Sequence, residues 1–370
     1  MRVGILGGGQ LGRMLALAGV PLGVRCWVLD PSPEAPARAV ATHICADYHD
    51  RSALEQLAQA VDVITYEFEN VPVESAQALA QRVLVYPPPR ALEIAQDRLS
   101  EKTFFQSLGI PTPRFVRVDT FEDLGNAVEQ LGLPALLKTR RGGYDGKGQY
   151  LIRSLDDIER AWNTLGGVPL IVEEYIRFER ELSILSVRAR TGEIRCYPLV
   201  ENSHREGILR RSLAPAPHLS SMLQERAERY ARAILEALQY VGVLALELFE
   251  HQGELLANEM APRVHNSGHW TIEGAVTSQF ENHLRAILGW PLGPTEARGQ
   301  CAMFNIIGEI PAIEALLQIP GARVHLYGKS PRPGRKLGHV TLCEPSEELL
   351  LPKLARAQAL LGLDKRDEGK

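Results

Sequence analysis

The stretch VLALELFEHQGELLANEM, residues 243–260, decides the interpretation of the whole chain. Its two apolar halves are predicted to be strands joined by a turn at His251–Glu254. A hairpin centred near Gly253 places Glu247 directly opposite Glu259, and directly opposed side chains project to the same face of a sheet. The sequence therefore predicts two carboxylates side by side within an apolar hairpin.

Two carboxylates held side by side repel each other, so a cation is expected between them. Magnesium is commonly held by one or two carboxylates together with substrate phosphates. Glu247 and Glu259 are therefore the predicted magnesium ligands. The alternative is a single acid at a strand edge that pairs with an arginine or a lysine.

A basic, glycine-rich segment lies earlier in the chain. Lys138 falls within an apolar strand predicted at Ala135–Thr139, where a buried charge indicates a bound anion. The loop RRGGYDGKG at 140–148 follows, and its glycines leave backbone amides accessible. It is not a Walker A motif, because neither serine nor threonine follows its lysine. A flap over phosphate is predicted. A solvated hairpin tip is the alternative, which Tyr144 and Asp145 disfavour.

The first 96 residues alternate short apolar strands with helical stretches, which is typical of a parallel sheet with crossover helices. The run Gly7–Gly12 fits the pattern GxGxxG, and Asp30 ends the second strand. That pattern indicates a dinucleotide site, but a glycine turn at a helix N-terminus can accept any phosphate. NAD, another phosphorylated ligand and a purely structural turn all stay open on this motif alone.

Two breaks divide the chain. The proline run at 87–89 ends the first unit, and a linker at Gly289–Gly299 precedes the third. The predicted units are residues 1–96, 97–290 and 291–370.

The predicted strands are Val3–Leu6, Val24–Asp30, Val61–Thr65, Ala135–Thr139, Gln149–Ile152, Leu170–Glu174, Glu181–Ala189, Glu193–Val200, Val243–Glu250, Leu255–Met260, Ala302–Ile307, Val324–Tyr327 and Leu337–Leu342. Helices are predicted at Leu11–Ala18, Arg51–Gln59, Val73–Gln81, Asp97–Leu108 and Ser221–Leu238, and after Thr120, Ser154 and Pro345.

Composition excludes several classes of function. The 370 residues carry 41 basic and 45 acidic side chains, a net charge of −4, so neither a nucleic-acid surface nor a membrane surface is predicted. No stretch approaches the ~18 apolar residues of a membrane span. The five cysteines are scattered and form no CxxC pair, so reduced thiols in a cytoplasmic protein are predicted, with no zinc site and no disulfide.

Four more polar segments are candidates for ligand binding. Glu173–Ile176 ends an apolar strand, where backbone groups can contact adenine, and Glu181 can accept from ribose hydroxyls. Residues 263–270, RVHNSGHW, concentrate donors suited to a phosphate or a heterocycle. His204–Arg205 is assigned to a loop, and Lys329–Lys336 forms a basic patch. A solvated surface is the alternative for the last two.

Together these features resemble the ATP-grasp superfamily, which holds ATP between two α+β lobes with a lysine, a glycine-rich flap and paired acids. Four motifs are similar to those of N5-carboxyaminoimidazole ribonucleotide synthetases: GGQLGR at 8–13, GGYDGKG at 142–148, NEMAPRVHNSGHW at 258–270 and RPGRK at 332–336. The resemblance implies an α/β and α+β architecture. Its parts are an N-terminal Rossmann-like (pre-ATP-grasp) domain, a central two-lobed ATP-grasp domain and a small C-terminal domain.

The resemblance also implies a reaction in de novo purine biosynthesis. ATP phosphorylates bicarbonate to carboxyphosphate, and either carboxyphosphate or carbon dioxide then carboxylates the 5-amino group of aminoimidazole ribonucleotide (AIR). The products are the N5-carbamate, ADP and phosphate. ATP and magnesium are implied as cofactors, AIR and bicarbonate as substrates, and a cytoplasmic homodimer as the assembly.

Site residues follow from the resemblance by motif. ATP is assigned to Arg98, Lys138, Gly143, Tyr144, Asp145, Gly146, Lys147, Gly148, Gln149, Glu173, Glu174, Tyr175, Ile176, Glu181, His204, Asn258 and Glu259. Magnesium is assigned to Glu247 and Glu259. AIR is assigned to Gln10, Leu11, Tyr144, Arg263, His265, Asn266, Ser267, Lys329, Arg335 and Lys336. Catalysis is assigned to Asp145, which would orient the amine or accept its proton, and to Arg263, His265 and Lys336. The first glycine loop would then serve a nucleotide monophosphate.

Three other hypotheses are weighed against this one. A sister ATP-grasp enzyme acting on glycinamide ribonucleotide is disfavoured by the 263–270 and 332–336 motifs. An NAD-dependent oxidoreductase leaves Glu247, Glu259 and the flap without a role. A catalytically inactive binding module is disfavoured because both acids and Lys138 are present.

Overall fold

The computed structural model describes residues 1–143 and 146–363, which form three sheets with helices packed against them. None of the helices in these ranges is long and apolar enough to span a bilayer.

The first sheet is parallel and has the strand order β3-β2-β1-β4-β5. Its apolar central strand is fully buried at Val3, Ile5 and Leu6, as expected for a sheet covered by helices. The predicted alternation of strands and helices is confirmed. The elements are β1 Arg2–Leu6, α1 Gln10–Gly19, β2 Arg25–Asp30, β3 Thr42–Cys45, α2 Arg51–Ala60, β4 Val63–Tyr66, α3 Val73–Ala80 and β5 Leu84–Val85.

The second sheet has the order β6-β9-β7-β8 and is antiparallel. The predicted cap at Thr120 is confirmed, because its hydroxyl accepts from the Asp123 amide at 3.1 Å and the Asp123 carboxylate accepts from the Thr120 amide at 2.9 Å. The elements are α4 Pro89–Ala95, α5 Arg98–Ser107, β6 Phe115–Val118, α6 Phe121–Leu131, β7 Ala135–Thr139, β8 Gln149–Ile152, α7 Asp157–Leu165 and β9 Leu170–Glu174.

The third sheet has nine strands, in the order β15-β14-β10-β12-β13-β16-β18-β17, with β11 paired to β10. The last three strands of the chain therefore continue the sheet that carries the acidic hairpin. Its elements are β10 Arg180–Arg188, β11 Ile194–Cys196, β12 Val200–Arg205, β13 Ile208–Ala214, α8 Ser221–Ala237, β14 Gly242–His251, β15 Glu254–Ala261, α9 Thr271–Gly274, α10 Gln279–Leu288, β16 Gln300–Ile307, α11 Ile313–Leu317, β17 Arg323–Leu326, β18 Lys336–Glu344 and α12 Glu347–Leu360.

Two predictions about this sheet are wrong. The strand predicted at Glu193–Val200 is interrupted after Cys196, where Pro198 has no amide hydrogen for a strand ladder. His204–Arg205 is not a loop but the end of β12, which turns into β13 through Glu206 and Gly207. Both turn residues have positive φ, 54° and 74°, which suits a tight hairpin.

The prediction that all five cysteines are reduced is also wrong. Cys301 on β16 lies directly opposite Cys343 on β18, and the two form a disulfide. Their Cα atoms are 4.3 Å apart because the two strands are hydrogen-bonded neighbours. A separation of 42 residues hides this neighbourhood in the sequence. Cys26, Cys45 and Cys196 are free thiols.

Candidate functional site

The acidic hairpin places Glu247 of β14 opposite Glu259 of β15, as predicted. The turn itself consists of two residues, Gln252 and Gly253, and its register alone would set Glu247 opposite Asn258. A β-bulge at Asn258 inserts one extra residue and moves Glu259 into the opposed position. The prediction is therefore confirmed, although the bulge that produces the pairing was not foreseen.

The two acids have different partners. Glu259 accepts a hydrogen bond from the Arg98 guanidinium at 3.0 Å, and Glu247 lies 3.2 Å from Nε2 of His265. Burial and the neighbouring charge of Glu259 raise the pKa of Glu247 to about 7. Burial also acts to raise the pKa of Glu259, but Arg98, Lys138 and Lys102 outweigh it, so this pKa is lowered. One acid thus holds a full negative charge beside a second that protonates readily.

Glu247, Asn258 and Glu259 line the same cleft at this hairpin, and their side-chain oxygens are the kind of ligand that magnesium prefers. Oδ1 of Asn258 is buried, and no hydrogen-bond donor among residues 1–143 and 146–363 reaches it. It lies in the bulge between strands that carry the opposed acids. The described ranges contain no ready-made cluster of three or more acidic, histidine or cysteine ligands. A cation held here would therefore complete its shell with phosphate oxygens and water.

Lys138 and Lys102 share one buried carboxylate. Glu173 of β9 lies 2.9 Å from the Lys138 ammonium and 3.3 Å from that of Lys102. Burial alone would raise the pKa of Glu173, but the two lysines reverse the effect and lower it to about 2. Burial, Lys102 and Arg98 lower the pKa of Lys138 against the opposing effect of Glu173. The Glu173 carboxylate is therefore the shared counter-ion of the Lys138 and Lys102 ammonium groups.

The predicted flap connects β7 to β8. Its first part contacts α5, since Arg98 donates to the Gly143 carbonyl at 3.5 Å. Gly146 has a φ of 76° and packs so closely on the β12–β13 turn that a Cβ would lie 3.0 Å from the Glu206 carbonyl oxygen. Only glycine fits this approach without strain. Tyr144 and Asp145, to which the sequence assigns substrate contacts and proton transfer, lie outside the described residues.

Glu181 and His204 face each other across β10 and β12. Nδ1 of His204 lies 2.6 Å from the Glu181 carboxylate. Burial would lower the pKa of His204, but the hydrogen bond and charge of Glu181 raise it. Glu174 instead accepts from Arg114 at 3.0 Å, and Tyr175 and Ile176 are half-buried in the following segment.

Three backbone amides of the first glycine loop already donate to carboxylates of the protein. The amide of Gly8 donates to Asp30 at 2.8 Å, and the amides of Gly9 and Gly12 donate to Glu67 at 2.9 and 3.1 Å. A phosphate at this loop would therefore have to displace these carboxylates or use other donors, and the assignment of the loop to a nucleotide monophosphate stays a prediction. Gln10 and Leu11 instead line the central cleft, and Gln10 accepts a hydrogen bond from Lys329.

The 263–270 segment lies on the side of the acidic hairpin away from Arg98, where Glu247 approaches His265. Arg263 pairs with Glu69, and Asn266 exchanges two amide hydrogen bonds with Asn305 at 3.0 and 2.7 Å. Ser267 is fully buried and bonds to Nδ1 of His265 at 2.9 Å. Burial and the nearby Arg263 lower the pKa of His265 well below its usual value. Arg335 donates to the Ser330 carbonyl at 3.2 Å.

A cleft of about 460 Å³ joins these groups. Several predicted residues do not line it: Gly148, Glu173, Glu174, Tyr175, Ile176, Ser267, Lys329 and Arg335. The predicted residues that do line it are Gln10, Leu11, Arg98, Lys138, Gly143, Gly146, Lys147, Gln149, Glu181, His204, Glu247, Asn258, Glu259, Arg263, His265, Asn266 and Lys336.

Similarity to known proteins covers almost all of the chain. Residues 1–96 match the ribonucleotide synthetase preATP-grasp domain, 103–280 the ATP-grasp domain and 301–353 the phosphoribosylaminoimidazole carboxylase C-terminal domain. The N5-carboxyaminoimidazole ribonucleotide synthase of Pseudomonas aeruginosa is 52% identical over 361 residues, which cover 98% of this chain and 99% of that protein. The chain belongs to the N5-carboxyaminoimidazole ribonucleotide synthase family.

Solved structures of N5-carboxyaminoimidazole ribonucleotide synthases share the whole architecture. The Thermus thermophilus synthetase is 57% identical with a TM-score of 0.95, and the match covers 99% of this chain and 100% of that one. The Aspergillus clavatus synthase, in complex with ADP and 5-aminoimidazole ribonucleotide, is 34% identical with a TM-score of 0.89, covering 97% and 98%. Pre-ATP-grasp, ATP-grasp and C-terminal domains are thus present in the predicted order.

The sequence prediction missed some residues of this site. Lys102 lies one helical turn after Arg98 on α5, so their shared face was a usable signal. Glu101, on the same helix, accepts from the Met260 amide at 2.7 Å. Burial and the charge of Glu259 raise the pKa of Glu101 to about 8. The sequence around Glu67 does not indicate its role, because the glycine amides that it accepts from lie more than 50 residues away in the chain.

Proposed function

We propose that the cleft activates bicarbonate with ATP and transfers the carboxyl group to the 5-amino group of AIR. The products are N5-carboxyaminoimidazole ribonucleotide, ADP and phosphate. This ATP-dependent carbon–nitrogen ligation in purine biosynthesis is the activity of the family to which the chain belongs. The alternatives based on NAD and on glycinamide ribonucleotide are set aside on the same ground.

One observation carries the assignment of roles. Of the two opposed acids, Glu259 contacts Arg98 at 3.0 Å, whereas Glu247 lies 3.2 Å from His265. The hairpin therefore lies between a cationic end and the 263–270 segment. We place the ATP phosphates at Arg98 and Lys138, and AIR beside His265, so that the γ-phosphate and the amine meet above the acids.

The first step is phosphoryl transfer. An oxygen of bicarbonate forms a bond to the γ-phosphorus while the bond to the bridging oxygen of ADP breaks. Arg98 and Lys138 neutralise the phosphoryl oxygens as charge moves onto ADP. Glu247, Glu259 and Asn258 would hold magnesium, which supplies further neutralisation of the phosphates when bound. Closure of the flap keeps water from carboxyphosphate.

The second step forms the carbon–nitrogen bond. The amine nitrogen of AIR bonds to the carboxyl carbon, the bond from that carbon to the phosphate oxygen breaks, and the nitrogen loses a proton. We assign that proton to Asp145, while Arg263, His265 and Lys336 orient the two reactants. Gln10, Leu11, Asn266, Lys329 and Arg335 complete the AIR end of the site.

The function is tested by ATP hydrolysis with bicarbonate, with and without AIR. We expect strong stimulation by AIR and none by glycinamide ribonucleotide. Equal stimulation by both nucleotides, or by neither, would contradict the proposal. A complex with nucleotide in which Glu247 and Glu259 point to opposite faces of the sheet would contradict the assignment of magnesium.

Lys329 gives this site a predicted pH dependence. Burial lowers its pKa to about 8, so its charge is present below that pH and lost above it. The value of kcat/KM for AIR should therefore fall as the pH rises through 8, since this parameter reports groups of the free enzyme. The Lys329→Arg variant keeps its charge at every accessible pH, so the fall caused by Lys329 should be missing from its profile. Glu101 and Glu247 titrate in both proteins and change both profiles alike. Identical profiles for both proteins would refute a role for Lys329 in binding AIR.

The remaining assignments rest on the resemblance and on chain composition. We propose the domain limits 1–96, 97–290 and 291–370, a homodimer, and a cytoplasmic location. Sedimentation at working concentration tests the dimer, and cell fractionation tests the location.

A further inference from the structure

A row of buried polar side chains crosses the nine-stranded sheet and ends near the acids. Ser212 on β13 donates to Oδ1 of Asn202 on β12 at 2.7 Å, and Nδ2 of Asn202 donates to Ser183 on β10 at 2.8 Å. Ser183 in turn donates to the Ser267 hydroxyl at 2.8 Å. All four residues are buried, and the three serines have no exposed surface. Such a row is costly to bury unless every member is paired.

The row continues to His265. The Ser267 hydroxyl lies 2.9 Å from Nδ1 of His265, and the Ser267 backbone amide donates to the same nitrogen at 3.3 Å. A backbone amide can only donate, so this nitrogen is an acceptor and carries no proton. The imidazole is therefore neutral and carries its proton on Nε2. That nitrogen faces Glu247 at 3.2 Å.

The direction of every link follows from this end. Because Nδ1 of His265 is an acceptor, the Ser267 hydroxyl donates to it and must accept from Ser183. Ser183 then accepts from the Asn202 amide nitrogen, which leaves Oδ1 of Asn202 to accept from Ser212. The Asn202 end gives the same directions, because its amide nitrogen can only donate, to Ser183, and its amide oxygen can only accept, from Ser212. All four hydrogen bonds are therefore mutually consistent.

The row also runs beside the acidic hairpin. Ser183 lies directly opposite Glu247 in the pairing of β10 with β14, so Glu259, Glu247 and Ser183 occupy one line across three strands. Ser183 and Asn202 do not line the cleft themselves. They reach the reacting groups only through Ser267 and His265.

We propose that Ser183 and Asn202 are positioning residues that hold His265 in the Nε2-protonated tautomer, so that it presents a donor to Glu247 and to the carboxyl group in transfer. The proposal rests on the proposed function, since His265 belongs to the site assigned there. A purely structural polar row would stabilise the sheet but would leave the tautomer unchanged when it is cut.

The test compares Ser183→Ala with Ser186→Ala. Both serines are fully buried on β10. Within residues 1–143 and 146–363, Ser186 donates only to the Leu244 carbonyl, at 3.5 Å, and belongs to no link of the row. The tautomer of His265 is measured by two-bond nitrogen–proton NMR of protein labelled with 15N-histidine, with its signals assigned from the His265→Gln spectrum. Melting curves confirm that each variant is folded.

In Ser183→Ala the Ser267 hydroxyl no longer receives a hydrogen bond, so it is free to turn and accept from Nδ1 of His265. Only the long amide contact of 3.3 Å then still favours the Nε2-protonated form. We therefore expect the unmodified chain and Ser186→Ala to show the pure Nε2-protonated form, and Ser183→Ala to show a mixture. Loss of one such hydrogen bond should lower kcat roughly fivefold, which corresponds to about 1 kcal/mol, with KM for ATP unchanged. Ser212→Ala, which cuts the row further away, should give a smaller change in the same direction.

An unchanged tautomer in folded Ser183→Ala would overturn the proposal, as would a mixed tautomer with full kcat. The NMR result does not depend on turnover. A chain that AIR fails to stimulate would refute the proposed function while the tautomer measurement still decides whether the row controls His265.

Discussion

Replacing Glu259 by glutamine should lower AIR-dependent turnover by on the order of 100-fold or more while the chain stays folded. Glutamine preserves the shape of the side chain but removes the charge that Arg98 contacts at 3.0 Å. It also removes one of the two opposed carboxylates assigned to magnesium. Turnover is measured by coupled ADP release at saturating ATP, AIR and bicarbonate, and folding by circular dichroism.

The matched control is Glu254→Gln. Glu254 begins the same strand, and its side chain is 60% exposed where it pairs with Arg226. Exposed pairs of this kind contribute little, so its turnover should stay within about twofold of the unmodified chain. If Glu259→Gln retains full turnover, the assignment of the hairpin to magnesium is lost.

Replacing Glu173 by glutamine should reduce the free energy of unfolding by about 3 kcal/mol, because Lys138 and Lys102 would lose their shared counter-ion. The side chains of the three residues are only 3%, 9% and 1% exposed, so water cannot replace the lost charge. The midpoint of thermal unfolding should fall by about 4 °C, because the entropy of unfolding of a chain this long is large. Nucleotide should stabilise this variant more than the unmodified chain, since phosphate supplies negative charge beside Lys138.

The neighbouring residue provides the control for this second prediction. Glu174 pairs with Arg114 at the surface, where the side chains are 34% and 60% exposed. Glu174→Gln should therefore change stability by less than about 1 kcal/mol. Equal melting temperatures for the Glu173 and Glu174 variants would show that the two lysines do not depend on Glu173.

Much of the fold could be predicted because its signals are local. Strands β7, β8 and β9 have the predicted limits, since each is a short apolar run that turn residues bound. The limits of β11 and β12 could not be predicted in the same way. Pro198 interrupts an otherwise continuous apolar pattern between them, and the Glu206–Gly207 turn after β12 lies within a polar segment.

The same contrast holds within the site. The opposed acids are 12 residues apart, and a hairpin pattern is enough to pair them, although the bulge at Asn258 sets the final register. The links from Ser183 to Ser267 and from Asn202 to Ser183 join residues 84 and 19 positions apart. No pattern within one segment indicates such contacts, because they depend on which strands become neighbours in the sheet.

The order of strands in the third sheet limits how this enzyme can be shortened. β13 pairs on one side with β12 and on the other with β16, so the last 70 or so residues cover an edge that would otherwise carry unpaired amides and carbonyls. A protein that stops at Gly299 would expose that edge, and open strand edges recruit other chains. Such a truncated protein should form insoluble aggregates in a cell, even though every residue assigned to ATP would still be encoded.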